Sequence, residues 1–279
     1  MTFANLFCLR KKYGTEICID GGVLYIRQKN RIYNGQTAYF APIIPECTAP
    51  EDFTDAVDMI LEASRKERIK PYFFGVTEDN LSLFEQSIKN SFKITEQRDW
   101  FEYLYRSEKF VDFASSELSK QRRAVNRFWN LYGAEAAVER ISPSNIQKVI
   151  KYQSDWLANN LDRNMDRDSL ISENESILNG LDNFWSLNLE GIIVSVGKSV
   201  RGYAYGTILP GGAFDIIAQK GDVEYQQIYK VVLQEHVKTF YERAELTNME
   251  EDIGLVGLRR SKERYKPDYM LKKYTVEFE

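Results

Sequence analysis

Between Asn248 and Tyr274 the chain reads NMEEDIGLVGLRRSKERYKPDYMLKKY, and no other stretch holds so many chemically able side chains. Glu250 and Asp252 stand just ahead of Gly254, and carboxylates in such a turn can accept protons. Arg259 and Lys262 follow three residues apart, a spacing that lets one helix face aim both at a phosphate or a developing oxyanion. Asn248 comes before the acidic residues, and Pro267 comes two residues after Tyr265. The segment therefore reads as a strand end, an acidic turn and a helix. A charge run of this kind also fits a solvated helix laced with salt bridges, and the sequence leaves both readings standing.

Composition removes several classes of chemistry. Cys8, Cys18 and Cys47 lie in the first fifth of the chain without CxxC spacing, and there is one histidine, so neither a disulfide framework nor a metal site is expected. That histidine, His236, falls four residues after Val232 and four before Phe240, on the apolar side of a helical pattern. It reads as a buried structural side chain rather than a base. With 41 acidic against 37 basic residues the net charge is −4, which argues against indiscriminate nucleic-acid binding but leaves clusters able to hold a phosphate. No apolar run approaches the ~20 residues of a membrane span, and MTFANLFCLRKKYG is too short an apolar opening for a secretory signal. A cytoplasmic protein is expected.

The elements that must position these groups follow from periodicity. Residues 15 to 42 read as a meander with turns at Asp20-Gly21-Gly22 and Gly35. Next come a helix carrying Phe53, Val57, Ile60 and Leu61, the strand YFFGV, a helix capped by Asp79 or Asn80, and the strands FKIT and WFEYLY. Residues 110 to 132 read as one long helix with an apolar stripe of Val125, Phe128, Trp129 and Tyr132. Arg122 flanks that stripe and is the basic residue placed to reach inward. The second half continues with a helix begun by Ser142-Pro143 and another begun by a capping box of Ser172 and Glu175. Then come the strands GIIVSV, VRGYAYGTIL and AFDIIA, a helix over roughly 223 to 243, the strand AELTN, the charged helix, and DYMLKKYTVEF.

Both halves thus carry three antiparallel strands, a helix, a strand, a helix and terminal strands. That order is the order of the GNAT acyltransferase fold. The expectation is an α+β chain of two tandem GNAT-like domains: residues 1–109, a linking helix 110–133, and residues 134–279 with the working site. In such a domain the acyl donor enters between the fourth and fifth strands, with any pyrophosphate at the start of the third helix. Here those places are Gln219-Lys220-Gly221 and Asn248 to Asp252. The glycine-rich loop of coenzyme A users is absent, because QKGDVEYQQIYK has one glycine and adds Asp222 and Glu224.

The chain also resembles the phosphatidylglycerol lysyltransferase C-terminal domain family over nearly its whole length. FANLFCLRKKYGTEICI resembles the family's opening, with Cys8 where an aromatic residue is usual. LSKQRRAVNRF resembles its linker helix, with Ser119 in place of a glycine. The C-terminal signature is the most specific, matching at Asn248, Glu250, Asp252, Gly254, Gly257, Leu258, Arg259, Lys262, Tyr265 and Pro267. Gln219 stands where relatives more often carry a glutamate.

The resemblance implies transfer of an aminoacyl group from aminoacyl-tRNA, or of another acyl group from acyl-coenzyme A, to an amine or hydroxyl, with no tightly bound cofactor. Asp252 or Glu250 would accept the proton. Asn248, Arg259, Lys262, Tyr265, Arg122, Lys220 and Gln219 would bind substrate. Aminoacyl-tRNA is the expected partner, and the acceptor stays open. The competing reading is a non-catalytic module that binds a small ligand or a partner on the same scaffold, with the segment from Asn248 to Tyr265 as an architectural clasp.

Overall fold

The computed structural model describes residues 2–278 apart from 33–35, 46–49, 90 and 162–165; Cys47 and the turn at Gly35 lie outside the described residues. By contacts the chain forms two compact units, each assembled from three separate segments. One comprises residues 9–102, 251–256 and 270–279, and the other comprises 1–8, 103–250 and 257–269.

The first of these units is built on a six-stranded sheet. The meander β1 (Thr15–Asp20), β2 (Val23–Ile32) and β3 (Gln36–Tyr39) is antiparallel, and β3 lies parallel to β4 (Tyr72–Val76). The last strand of the chain, β13 (Tyr274–Phe278), is inserted antiparallel between β4 and β5 (Phe92–Glu96). Helices α2 (Pro50–Glu67) and α3 (Glu78–Ser87) carry their apolar residues at helical spacing, and these residues form one core with the sheet. Phe53, Phe73 and Phe84 meet edge to face at ring separations of 5.0 to 5.1 Å, with Val276 and Phe278 in the same cluster. Thr77 caps α3 by accepting from the Asn80 amide, two positions ahead of Asp79, the nearer of the expected caps.

The other unit holds a seven-stranded sheet in the order β12-β6-β11-β10-β9-β8-β7. Its strands are β6 (Glu102–Arg106), β7 (Ala136–Arg140), β8 (Glu190–Val196), β9 (Ser199–Ile208), β10 (Ala213–Gly221), β11 (Leu246–Asn248) and β12 (Tyr269–Leu271). Strands β7 to β10 are antiparallel, β10 and β11 run parallel, and β6 pairs antiparallel with β11. One face is covered by α6 (Ile146–Leu161) and α7 (Arg167–Asp182), whose Val149, Ile177 and Leu181 pack on Tyr203, Tyr205 and Ile193. Helix α8 (Ile228–Phe240) buries Val231, Val232, Val237 and Phe240, and its His236 stacks edge-on to Phe214 with ring centroids 4.4 Å apart. Gly206 is required where β9 meets β10, because a Cβ there would sit 1.8 Å from the Asp215 carbonyl oxygen.

The same pattern therefore appears twice: antiparallel strands, a parallel pair, and then an antiparallel strand contributed from a distant part of the chain. The architecture is two tandem GNAT-like folds with mixed sheets flanked by helices. Four local expectations are corrected. The stretch 110–132 is broken into α4 (Glu108–Asp112) and α5 (Ser119–Tyr132), because Phe113 turns left-handed (φ 50°) to bury its ring against Phe110 and Tyr265. Helix α7 starts five residues before Ser172, since Asp166 accepts from the Ser169 amide and outcompetes the later box. Helix α8 begins at Ile228 rather than near 223, because a turn pinned by Asp222 consumes the intervening residues. The sequence reading also assigns no element to α1 (Phe3–Tyr13) or to β7.

Candidate functional site

The parallel ladder of β10 and β11 ends at the pair Asp215–Asn248, after which β10 continues to Gly221 while the chain past Asn248 turns away. Polar side chains gather where these two parallel strands part. Asp215 is 2% exposed, and the Asn5 side-chain amide donates to its Oδ2 at 3.1 Å. The same amide nitrogen donates to Glu250 Oε1. Asn248, also buried, accepts from the Glu250 amide at 2.8 Å, which bends the chain so that Glu250 takes a positive φ of 56°. Glu250 itself is half-buried, whereas Asp215, Asn248 and Asn5 are buried.

Helix α9 (Val256–Glu263) supplies Lys262, which is 5% exposed. Its ammonium donates to the carbonyls of Met249 at 2.5 Å and Glu250 at 3.0 Å and lies 5.6 Å from the Tyr103 ring centroid. A buried ammonium needs hydrogen bonds to repay its lost hydration, and here backbone oxygens provide them. Tyr105 donates to the Lys262 carbonyl at 2.9 Å, and Tyr265 is buried against Tyr105, Phe110 and Phe113. Burial pushes the Tyr265 phenol above its usual range, so it stays neutral. Arg259 is half-buried on α9. Arg122 donates to the carbonyls of Phe113 at 2.8 Å and Ala114 at 2.9 Å, securing the turn ahead of α5, while its neighbour Gln121 is the side chain that becomes buried.

Asp252 belongs to the other contact unit and is fully buried there. Its Oδ1 accepts from the Gly254 amide at 2.9 Å, and its Oδ2 meets Arg98 Nη1 at 3.2 Å. Gly254 has φ +77°, and a Cβ would lie 2.9 Å from an Asp99 carboxylate oxygen, so this turn demands glycine.

Gln219 and Lys220 stand higher on β10. Gln219 donates to the Tyr229 carbonyl at 2.6 Å. Lys220, 8% exposed, pairs with Glu173 at 2.8 Å and lies 4.2 Å from the centroid of Trp156. Next to them is a cleft of about 550 Å³ bounded by Tyr152, Trp156, Lys198, Arg201 and the turn 221–224. That turn is closed on itself. The Asp222 amide donates to the Arg201 carbonyl, the Glu224 amide to Asp222 Oδ1 and the Tyr225 amide to the Asp222 carbonyl, while Arg201 pairs with Asp222 at 3.2 Å and covers the Tyr225 ring. Three amides that a phosphate cradle would aim outward are thus spent internally.

Sequence reasoning missed Asn5, Asp215, Arg98 and Arg201. Asp215 had a signal, being the one charge within the apolar strand AFDIIA, whereas Asn5 had none before the helix that carries it was seen.

The repeated sheet pattern and the parting strands define a tandem GNAT-like fold. Residues 1–277 match the family described as phosphatidylglycerol lysyltransferase, C-terminal, and the chain belongs to that family. Among solved structures it is similar to a conserved protein of unknown function from Bacteroides thetaiotaomicron, at 24% identity and a TM-score of 0.88, covering 99% of this chain and 90% of that one. The C-terminal domain of a putative lysylphosphatidylglycerol synthetase from Agrobacterium fabrum matches at 13% identity and a TM-score of 0.67, covering 99% and 87%. L-PGS from Bacillus licheniformis matches at 12% identity and 0.64, covering 99% and 92%. Among the described residues no helix is long and apolar enough to cross a membrane.

Proposed function

We propose that this protein transfers an aminoacyl or other acyl group from an activated carrier to an amine or hydroxyl acceptor. The observation that carries the reading is the half-buried Glu250 beside buried Asp215, where the parallel strands part, in a chain of this family. An ester or thioester carrier is already activated, so the protein has to align the acceptor, take its proton and offset charge on the carbonyl oxygen. Glu250 is the favoured proton acceptor over Asp252, which is fully buried and bound to Arg98. As the acceptor's nitrogen or oxygen bonds to the acyl carbon, its proton passes to Glu250 and then to the departing ribose oxygen or thiolate. Between carriers, aminoacyl-tRNA is favoured over acyl-coenzyme A. The turn 221–225 spends its amides internally and sets Asp222 and Glu224 where a pyrophosphate would have to lie.

A second reading, a non-catalytic binding module, draws on Lys262. Its ammonium holds the carbonyls of Met249 and Glu250, which is what an architectural clasp would do. Thermal shift separates the two readings, because a ligand of the folded state raises the melting temperature. Stabilisation by lysyl-tRNA beyond that by deacylated tRNA supports transfer from tRNA, and stabilisation by acyl-coenzyme A alone supports the other carrier. Silence with all three moves the weight to the binding module. With a responsive carrier, Glu250→Gln is expected to cut transfer by about 10²-fold or more at unchanged melting temperature. Asp252→Asn is the companion variant, and undiminished transfer by a folded Asp252→Asn protein removes Asp252 from the mechanism.

A further inference from the structure

We infer that Asn5, in the first turn of the chain, is a positioning residue of the transfer site: its amide holds Asp215 and Glu250 as a fixed carboxylate pair. The inference rests on the acyl-transfer reading for what the pair does, and on geometry alone for the pair itself.

Asn5 is 6% exposed and lies on α1 between the buried Ala4 and Cys8. Thr2 Oγ1 accepts from the Asn5 backbone amide at 3.1 Å, capping the first turn and fixing its direction. The side-chain nitrogen has two hydrogens, and two carboxylates receive them, Asp215 Oδ2 and Glu250 Oε1. Two acceptors on one nitrogen have oxygens within about 5–6 Å of each other, a separation at which two anions repel unless a donor lies between them. Asp215 is anchored in β10 and cannot retreat. Glu250 sits on a turn held at positive φ, and the amide ties its carboxylate to the strand that carries Asp215. The neighbours of Asn5 on this helix are apolar and pack on α7. Cys8 Sγ would lie 3.2 Å from a Cβ added at Gly180, and the Asn179 amide reaches the Cys8 carbonyl. The helix would be held there without an asparagine, so the amide is placed for the carboxylates.

Three proteins decide it: the full chain, Asn5→Ala and Asn5→Asp, assayed with lysyl-tRNA and separately acetyl-coenzyme A as donors and hydroxylamine as acceptor. For a folded Asn5→Ala the expected result is kcat lower by about tenfold or more with KM for the donor within twofold. The acid limb of its pH–rate profile should move upward, since the carboxylate has lost a donor. An unchanged kcat and pH profile would overturn the inference. If the full chain transfers from neither donor, the acyl-transfer reading falls by itself and melting temperatures decide the geometry. Asn5→Asp brings a third carboxylate to the pair, so its deficit against Asn5→Ala should widen by several degrees from pH 5 to pH 7.5. A deficit equal at both pH values would show that Asn5 does not face two carboxylates, and the positioning role would be abandoned.

Discussion

His236 is the sole histidine of the chain, which makes its titration readable without assignment. The residue is 1% exposed, packed between Phe214 and Phe240, and burial depresses its pKa from an imidazole's ordinary 6.5 to about 3. In the unfolded chain the imidazole takes its proton near pH 6.5, whereas the folded protein refuses it until about pH 3. The unfolded state therefore binds more protons throughout that window, so stability rises with pH there and falls as the solution is acidified. Between pH 7.5 and pH 5 this one group should remove about 2 kcal/mol, by the ratio of its two binding polynomials. Carboxylates add their own pH dependence, so the clean measurement is a difference. His236→Phe keeps a ring in the apolar slot and cannot titrate. Urea unfolding of both proteins at pH 7.5 and pH 5 should show the variant gaining about 2 kcal/mol relative to the parent as the pH drops. A gap that stays constant to within about 0.5 kcal/mol would mean that the imidazole is hydrated or paired in the folded protein. Retained transfer activity in His236→Phe is expected as well, since the ring lies in a core and not at the parting strands.

Two further perturbations probe the scaffold of the site. Lys262→Met removes the donor to the Met249 and Glu250 carbonyls, and charged hydrogen bonds of this kind contribute about 1.5–3 kcal/mol each before relaxation. A loss of about 2–4 kcal/mol in denaturant unfolding is expected, and a variant as stable as the parent would show that water replaces the ammonium without cost. Gly206→Ala forces a Cβ against the Asp215 carbonyl, so β9 and β10 must separate at the position that seats Asp215. A destabilisation of about 3 kcal/mol or more is expected, and a loss under 1 kcal/mol would mean that the strands can shift freely there.

Much of the site's local geometry was readable from local chemistry. Asn248 and Asp252 each accept a backbone amide two residues on, as short polar side chains do in turns, and Gly254 supplies the positive φ that follows. The helix after that turn also forms where the periodicity places it, although it ends at Glu263 and leaves Tyr265 beyond it, held by aromatic packing. The destination of Lys262 was not readable. Spacing gave it a face to point from, but only the tertiary turn brought two carbonyl oxygens under the ammonium. Spacing puts Arg122 on the flank of its stripe and aims it inward, but the carbonyls it meets are those of Phe113 and Ala114, which exist because Phe113 breaks the helix before α5.

The sequence by itself determined most of the strands and helices, because alternation and helical spacing are local properties of neighbouring residues, but not α1, β7 or the break between α4 and α5. It also determined that His236 would be buried, and it put Asp222 and Glu224 in the turn that follows β10. Only the tertiary structure decided which sheet receives β6 and β13, since both strands alternate equally well against any open edge and register is chosen by the partner surface. Only the fold could place Asn5 between Asp215 and Glu250, residues 210 and 245 positions away, because contacts at that separation leave no periodic trace in the chain.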